Sequence, residues 1–396
     1  MNRRILALLL ALVMVAGLMT GCASGKQETA APETAQTESP AAEETTAEPE
    51  QTEEVPAEEE APKAPETVSF TDSLGRTVEL PADITRIAPS GAVATMILAA
   101  IAPECMVTIN AAPSESQMAF LPANLAALPE TGQMYGSKAD LNLETLLAAD
   151  PQVVIDLGDK KGDMTEDLDA LQEQIGIPVV FIEADLAHMA AAFRTLGGLL
   201  SGKSDRGEKL AALVDRTTAI AEENAAKITD DMRVRAMYTT GEDGLGTNAA
   251  GSMQAQVLDM VGVENAVVVE DVSNKGGGNI ISLEQLYNFD PDVILFADGS
   301  IYDTVADDSA WSQLTAISTG RYYEVPGSPY SWLSGPPSMN MILGVWWLGN
   351  LIYPEIYDYD METMTQELYK TLWGYELSSE EVTALLGNST LKAAAQ

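Results

Sequence analysis

The sequence predicts an α/β protein of two Rossmann-like lobes joined by one long α-helix, and three observations predict it. The stretch LNLETLLAADPQVVI at residues 141–155 returns 140 residues later as ISLEQLYNFDPDVIL at residues 281–295, with Leu, Glu, Leu, Asp, Pro and Val in the same places. In each copy apolar residues at helical spacing lead to an Asp-Pro, and a β-branched apolar run follows at once: a helix, a stop, then a buried parallel strand. Between the copies lies a long helical region, with an apolar stripe at Leu210, Leu213, Val214, Ile220 and Ile228. Finally, about 330 residues remain once the N-terminal segments are set aside, too many for one small core and suited to two lobes of ordinary size.

The N-terminal segments identify the compartment. Arg3 and Arg4 precede an unbroken apolar run at residues 5–19, shorter than the roughly 20 residues a spanning helix needs. This is the pattern of a signal peptide over residues 1–21. The sequence Leu18-Met19-Thr20-Gly21-Cys22 resembles a bacterial lipobox, which implies that Cys22 is lipidated and becomes the first mature residue. Diacylation there would supply the two-chain anchoring that one acyl chain cannot. In residues 23–66 Glu outnumbers Lys 13 to 2 and Val55 is the one sizeable apolar side chain. Such a tract cannot bury enough surface to offset its chain entropy and reads as a disordered acidic tether, so residues 22–66 form anchor and spacer.

Composition excludes several functions. Residues 67–396 carry 17 basic and 47 acidic side chains, net −30, which repels nucleic acid and anionic membrane surfaces. With Cys22 lipidated only Cys105 remains, so no intrachain disulfide forms. His188 is the only histidine, which removes His-rich and Cys/His metal sites; it reads as a helix-surface residue, and no metal or cofactor site is expected.

The folded part divides into an N-terminal lobe (67–186), a helical linker containing the connecting helix (187–229) and a C-terminal lobe (230–396). Residues 67–80 alternate, with Leu74-Gly75 at a hairpin-like turn. A strand at 84–89 runs into a helix at 90–101, placing Ser90 and Gly91 at a strand-to-helix junction where backbone N–H groups either cap the helix or bind a polar ligand. Short strands are expected at 107–110 and 179–182, and helices at 186–200 and about 204–228; Asp205 with Glu208 three residues on is a helix-start signal. About 24 residues of helix reach about 36 Å, enough to cross between lobes. A strand at 233–238 opens the second lobe, followed by a Gly-rich loop at 239–251, a helix at 252–261, a loop at 272–279 and the second repeat copy. Residues 247–251 have neither a P-loop ending nor a dinucleotide fingerprint. The apolar helix at 341–352 places Trp346 and Trp347 in the core.

Taken in order, the lipobox, TDSLGRTVELP, the strand ending in Pro89-Ser90, NLETLLAADPQVVI, the long helix, SLEQLYNFDPDVILF and the Trp332 segment resemble the substrate-binding lipoproteins of ABC importers for iron-siderophore, haem or cobalamin. The resemblance covers residues 68–386. It implies the class III periplasmic binding protein fold, with ligand between the lobes, little domain closure, no enzymatic activity and delivery to a permease homodimer. It further implies that Glu144 and Glu284, one on each lobe, pair with permease arginines; the plainer reading is that each Glu sits early in a helix, favoured by the dipole. Trp332 matches a cleft-side aromatic, next to Tyr330, on which a macrocycle or chelate stacks. Gly335, Pro336 and Pro337 stand where many siderophore binders have a basic residue, which disfavours a catecholate-type anion. Lys160, Lys161 and Lys275 lie in loops able to restore positive charge, and Ser90, Tyr135, Thr240 and Asn279 occupy comparable strand-end or loop positions. The expected cargo is an iron-siderophore or related chelate, with haem, cobalamin or an oxyanion such as molybdate as alternatives. A surface-anchored hydrolase is the rival of another class, opposed by the single His and the lack of a nucleophile elbow.

Overall fold

Both copies of the repeat fold as helix, left-handed stop and strand. The computed structural model describes residues 66–135, 140–274 and 277–390. The expected signal peptide, Cys22 and the acidic tether, together with Lys275, lie outside the described residues.

The first lobe opens with the expected hairpin, β1 (Thr67–Thr71) against β2 (Thr77–Pro81), antiparallel with Thr71 opposite Thr77. Asp72, only 5% exposed, organises the turn: its carboxylate accepts from the Leu74 and Arg76 N–H groups and pairs with the Arg76 guanidinium at 3.0 Å. There follow β3 (Ile87–Pro89), α1 (Ala92–Ile101), the short α2 (Glu115–Met118), α3 (Leu143–Ala148), β4 (Val153–Gly158), α4 (Met164–Ile175) and β5 (Val179–Glu183). The sheet runs β3-β4-β5, all parallel. No strand forms at 107–110; single bridges join Ile87 to Met106 and Ile109 to Glu130. The segment is held between the Pro103 turn and Pro113, which leaves room for isolated pairing only.

Next, α5 (Met189–Leu199) and α6 (Ser204–Ala225) form the long helical region. They pack backbone to backbone, since a Cβ on Gly207 would stand 2.6 Å from the Phe193 carbonyl oxygen and 2.8 Å from the Gly197 Cα. At 22 residues, α6 is about 33 Å long. It begins at Ser204, as expected, but the expected start signal does not cap it: there is no side-chain cap, and Glu208 forms a bidentate pair with Arg194 of α5. Among the described residues no helix is long and apolar enough to cross a membrane.

In the second lobe come β6 (Arg235–Thr240), β7 (Gly246–Thr247), α7 (Gln256–Met260), β8 (Glu264–Asn265), β9 (Asn279–Ile280), α8 (Leu283–Phe289), β10 (Val293–Phe296), α9 (Thr315–Ser318), β11 (Tyr322–Glu324), α10 (Met341–Ile352), α11 (Met361–Trp373) and α12 (Ser379–Leu385). The strands β6, β10 and β11 are parallel with β10 central, as β3, β4 and β5 are with β4 central. The repeat is therefore deeper than its sequence. Asp150 and Asp290, the matched residues before each Pro, have φ of 50° and 33°, the only positive-φ non-glycines among the described residues. A matched arginine closes each helix: Arg86 donates to the Ala149 and Asp150 carbonyls of the first copy, Arg235 to those of Phe289 and Asp290 in the second. A cation at a helix C-terminus satisfies orphan carbonyls and complements the dipole.

One continuous core runs from β3 and α1 through α6 to α10 and α11. Although α11 belongs to the C-terminal part of the chain, it packs against α1 and α6. Arg206 of α6 fixes this joint, its guanidinium donating to the Ala100 carbonyl near the end of α1, at 2.7 and 2.9 Å, and to the Leu372 carbonyl near the end of α11, at 3.0 Å. Phe120 of the first lobe adds edge-on contacts with Tyr369 and Tyr375 at 5.5 and 5.1 Å.

Candidate functional site

Because the strands within each parallel set run the same way, their carboxyl ends gather along one edge of each lobe, the place where open α/β sheets bind ligands. A cavity of roughly 170 Å³ lies there. Its walls come from both halves: the first turns of α1 (Ala92, Thr95, Met96) and the segment Ile109 to Pro113 with Gln117 on one side, Tyr330, Gly335 and Pro336 on the other. Thr95, Asn110, Gln117 and Tyr330 are its polar lining, and no charged side chain among the described residues reaches it. Burial pushes the Tyr330 phenol up to about 12, so it enters the cavity as a neutral hydroxyl.

On the other face of the first-lobe sheet, at the same edge, Ser90, Tyr135, Asp156 and Lys161 form a second group. The Ser90 hydroxyl donates to Asp156, whose side chain is 5% exposed within the otherwise apolar β4. Burial raises the Asp156 carboxyl to about 6, against the lowering pull of the Ser90 hydrogen bond and the Lys161 charge. The hydroxyl of Tyr135 is buried and meets no hydrogen-bond partner among the described residues; burial first, then the charges of Asp156 and Asp167, raise its pKa. Lys161 lies 4.9 Å from the Tyr135 ring centroid and 3.7 Å from Asp159, while Lys160 is exposed. Ser90 does not offer a free backbone donor, since its N–H continues the parallel ladder to the Ile155 carbonyl.

Three expectations for the second lobe change. Trp332 is fully buried, 6.5 Å from Trp347 and 6.4 Å from Tyr369 between ring centroids, and presents no face to the cleft. Gly344 on α10 permits this: a Cβ there would meet the Trp332 carbonyl oxygen, so its absence lets residues 330–334 lie down on the helix. The aromatic in the cavity wall is Tyr330. Asn279 turns inward to its own loop, accepting from the Ser273 N–H and donating to the Asp271 carbonyl, and Thr240 donates to the Gly277 carbonyl. Both hold the loop against β6 and β7 instead of reaching outward. Asp156, Thr95, Asn110 and Gln117 were not expected; for Asp156 the signal was a lone acid inside the apolar run VVIDLG.

Glu144 and Glu284 occupy the second position of α3 and α8, which Asn142 and Ser282 cap by accepting from the N–H three residues on. Both glutamates are exposed and have no ion-pair partner among the described residues. Beside them Leu147 and Tyr287, again matched positions, are 46% and 42% exposed.

At the end of β5 and just past it, Glu183, Asp185 and His188 each offer one ligand atom within 4.8 Å of the others. His188 Nδ1 lies 2.6 Å from Asp185, and that hydrogen bond with the Asp185 charge raises the imidazole pKa. The donor types suit a divalent cation, and the group adds negative potential to the cleft edge.

The family model described as periplasmic binding protein matches residues 98–329, more than half of the chain. Among solved structures, an ABC transporter solute binding protein from Sulfurospirillum deleyianum is 28% identical, with 81% of this chain and 99% of that chain covered at a TM-score of 0.74. A periplasmic solute binding protein from Veillonella parvula is 24% identical, covering 82% and 98% at 0.68, and a Haemophilus influenzae molybdate periplasmic binding protein 20% identical, covering 78% and 99% at 0.64. No curated protein matches. With two parallel α/β lobes, one long helix between them and a cavity walled by both, the chain belongs to the periplasmic binding protein family, in its class III fold.

Proposed function

We propose that this protein is the extracytoplasmic solute-binding lipoprotein of an ABC importer, and that it captures a metal chelate, an iron-siderophore or a related complex, and hands it to a dimeric permease. The observation that carries the reading is the cavity shared by the carboxyl edges of two matched lobes, flanked on each lobe by an exposed glutamate with no partner of its own among the described residues. Two equivalent carboxylates, each beside an exposed apolar side chain, suit a two-fold permease surface bearing arginines. The likeness to the Sulfurospirillum deleyianum solute binding protein supports the same role.

Tyr330, Tyr135, Lys160, Lys161 and Ser90 are the members of the expected ligand set that stand at this edge, with Lys275 assigned from its loop. A slot of roughly 170 Å³ takes one arm of a chelate, and the body of the ligand lies across the open edge. The slot's small size favours a second reading, an oxyanion such as molybdate, yet no cation among the described residues lines it. Haem and cobalamin remain alternatives of the same class. The protein performs no chemistry on its cargo: Ser90 is paired with a carboxylate and no histidine, and His188 stands at the rim without a nucleophile.

Cys22 and the acidic segment after it provide the anchor and tether. The test is to isolate the protein from native membranes and record the mass and absorption spectrum of what comes with it. A metal-chelate chromophore supports the proposal; a peptide or sugar in its place overturns it. Cys22→Ala should release the protein from the membrane with its fold intact, and full membrane retention of the variant would exclude the lipid anchor.

A further inference from the structure

Resting on that reading, we infer that the cargo carries no net negative charge and that Asp156 is a determinant of this choice. A buried carboxylate needs an opposite charge or several hydrogen bonds to offset its lost hydration. Asp156 accepts from the Ser90 hydroxyl; of the described cations at this edge, Lys161 is shared with Asp159 and the Tyr135 ring, and Lys160 is exposed to water. Among the described residues four carboxylates, Asp156, Asp159, Glu183 and Asp185, stand at the carboxyl edge of the first lobe against Lys160 and Lys161, with His188 paired to Asp185, which leaves the edge negative.

Among the described residues, the opposite wall contributes nothing to cancel this field. The loops that follow β6, β10 and β11, residues 241–252, 297–310 and 325–340, contain no Lys or Arg, but they hold Glu242, Asp243, Asp298, Asp303, Asp307 and Asp308. Lys275 is the one basic residue in the sequence between β8 and β9. The described lining of the slot between the walls is uncharged. An anionic chelate would thus enter a cleft whose fixed charges oppose it, in a setting where water screens poorly. A neutral or cationic chelate gains from the same field, and neutral donors such as Thr95, Asn110, Gln117 and the Tyr330 hydroxyl suit amide and hydroxamate groups.

The experiment titrates the full-length protein in detergent, by calorimetry, with four probes: a cationic ferric trihydroxamate, a neutral ferric trihydroxamate, a trianionic ferric tris-catecholate and molybdate. The cationic or the neutral trihydroxamate should bind at least about tenfold more tightly than either anion, a difference expected from one poorly screened charge contact. Added salt should weaken the cationic probe selectively. Asp156→Asn, close to isosteric, should reduce the ratio of cationic to neutral affinity by about threefold or more, with folding checked by circular dichroism. Tightest binding of the tris-catecholate or of molybdate overturns the charge assignment and leaves the importer role standing. Binding of none of the four, alongside a co-purified cargo that is not a metal complex, overturns the reading on which the inference rests.

Discussion

Asp156 and Trp332 are the two residues whose positions most change what single substitutions should do. For Asp156, the folded-state pKa of about 6 exceeds the ordinary 3.8 because burial disfavours the charge. Between those values the folded chain holds more protons than the unfolded one, so stability falls as pH rises. The cost is absent below 3.8 and complete above about 6. Asp156→Asn should therefore stabilise the protein at pH 7.5, by up to about 3 kcal/mol less whatever the weaker bond from Ser90 forfeits, and give little gain at pH 4. Urea melts at the two pH values measure this; equal shifts at both would mean the carboxylate is not strained by burial. Trp332 is a core residue, so Trp332→Ala should cost about 3–5 kcal/mol of stability, read from the same melts. That loss precedes any effect on cargo, and a variant with wild-type stability but weakened binding would return Trp332 to the cleft. Asp156 was legible in the sequence as a charge interrupting an apolar strand. The burial of Trp332 was not, because it depends on the bare backbone of Gly344 a dozen residues away.

At the scale of elements, the internal repeat carried most of the fold. A capped helix, an Asp in the left-handed region before Pro and an apolar strand are local features, and each copy states them within fifteen residues. The arginines that complete the unit were invisible, since Arg86 stands just before β3 and Arg235 opens β6, in dissimilar sequence, and both act on carbonyls 54 to 64 residues away. The bends at 107–110 were equally hidden: four β-branched and polar residues read as strand until neighbours decide their pairing. The paired caps give a quantitative expectation. Arg86→Ala and Arg235→Ala should each destabilise by about 1–2 kcal/mol, the scale of lost charge-assisted hydrogen bonds to helix-end carbonyls, and the double variant should be additive within about 0.5 kcal/mol. Strong coupling between them, measured in denaturant, would show that the two lobes do not hold these units independently.

For the whole molecule, the proposed docking face predicts that Glu144→Ala with Glu284→Ala spares cargo affinity and abolishes stimulation of permease ATP hydrolysis. Reversing either charge to Lys should impair more than neutralising it, and salt should weaken the wild-type interaction. Full stimulation by the double alanine variant would assign both glutamates to helix capping alone. The joint at the other end of the molecule bears on how that face is read. Arg206 ties the ends of α1 and α11 to the connecting helix, and the core is continuous through it, so the distance between the two glutamates is set by the scaffold and not by what the cleft contains. An importer that gauged only this spacing would receive the same signal from an empty carrier as from a full one. Vacant copies then occupy the transporter as decoys, and net uptake depends on the fraction of carriers loaded, not merely on their number.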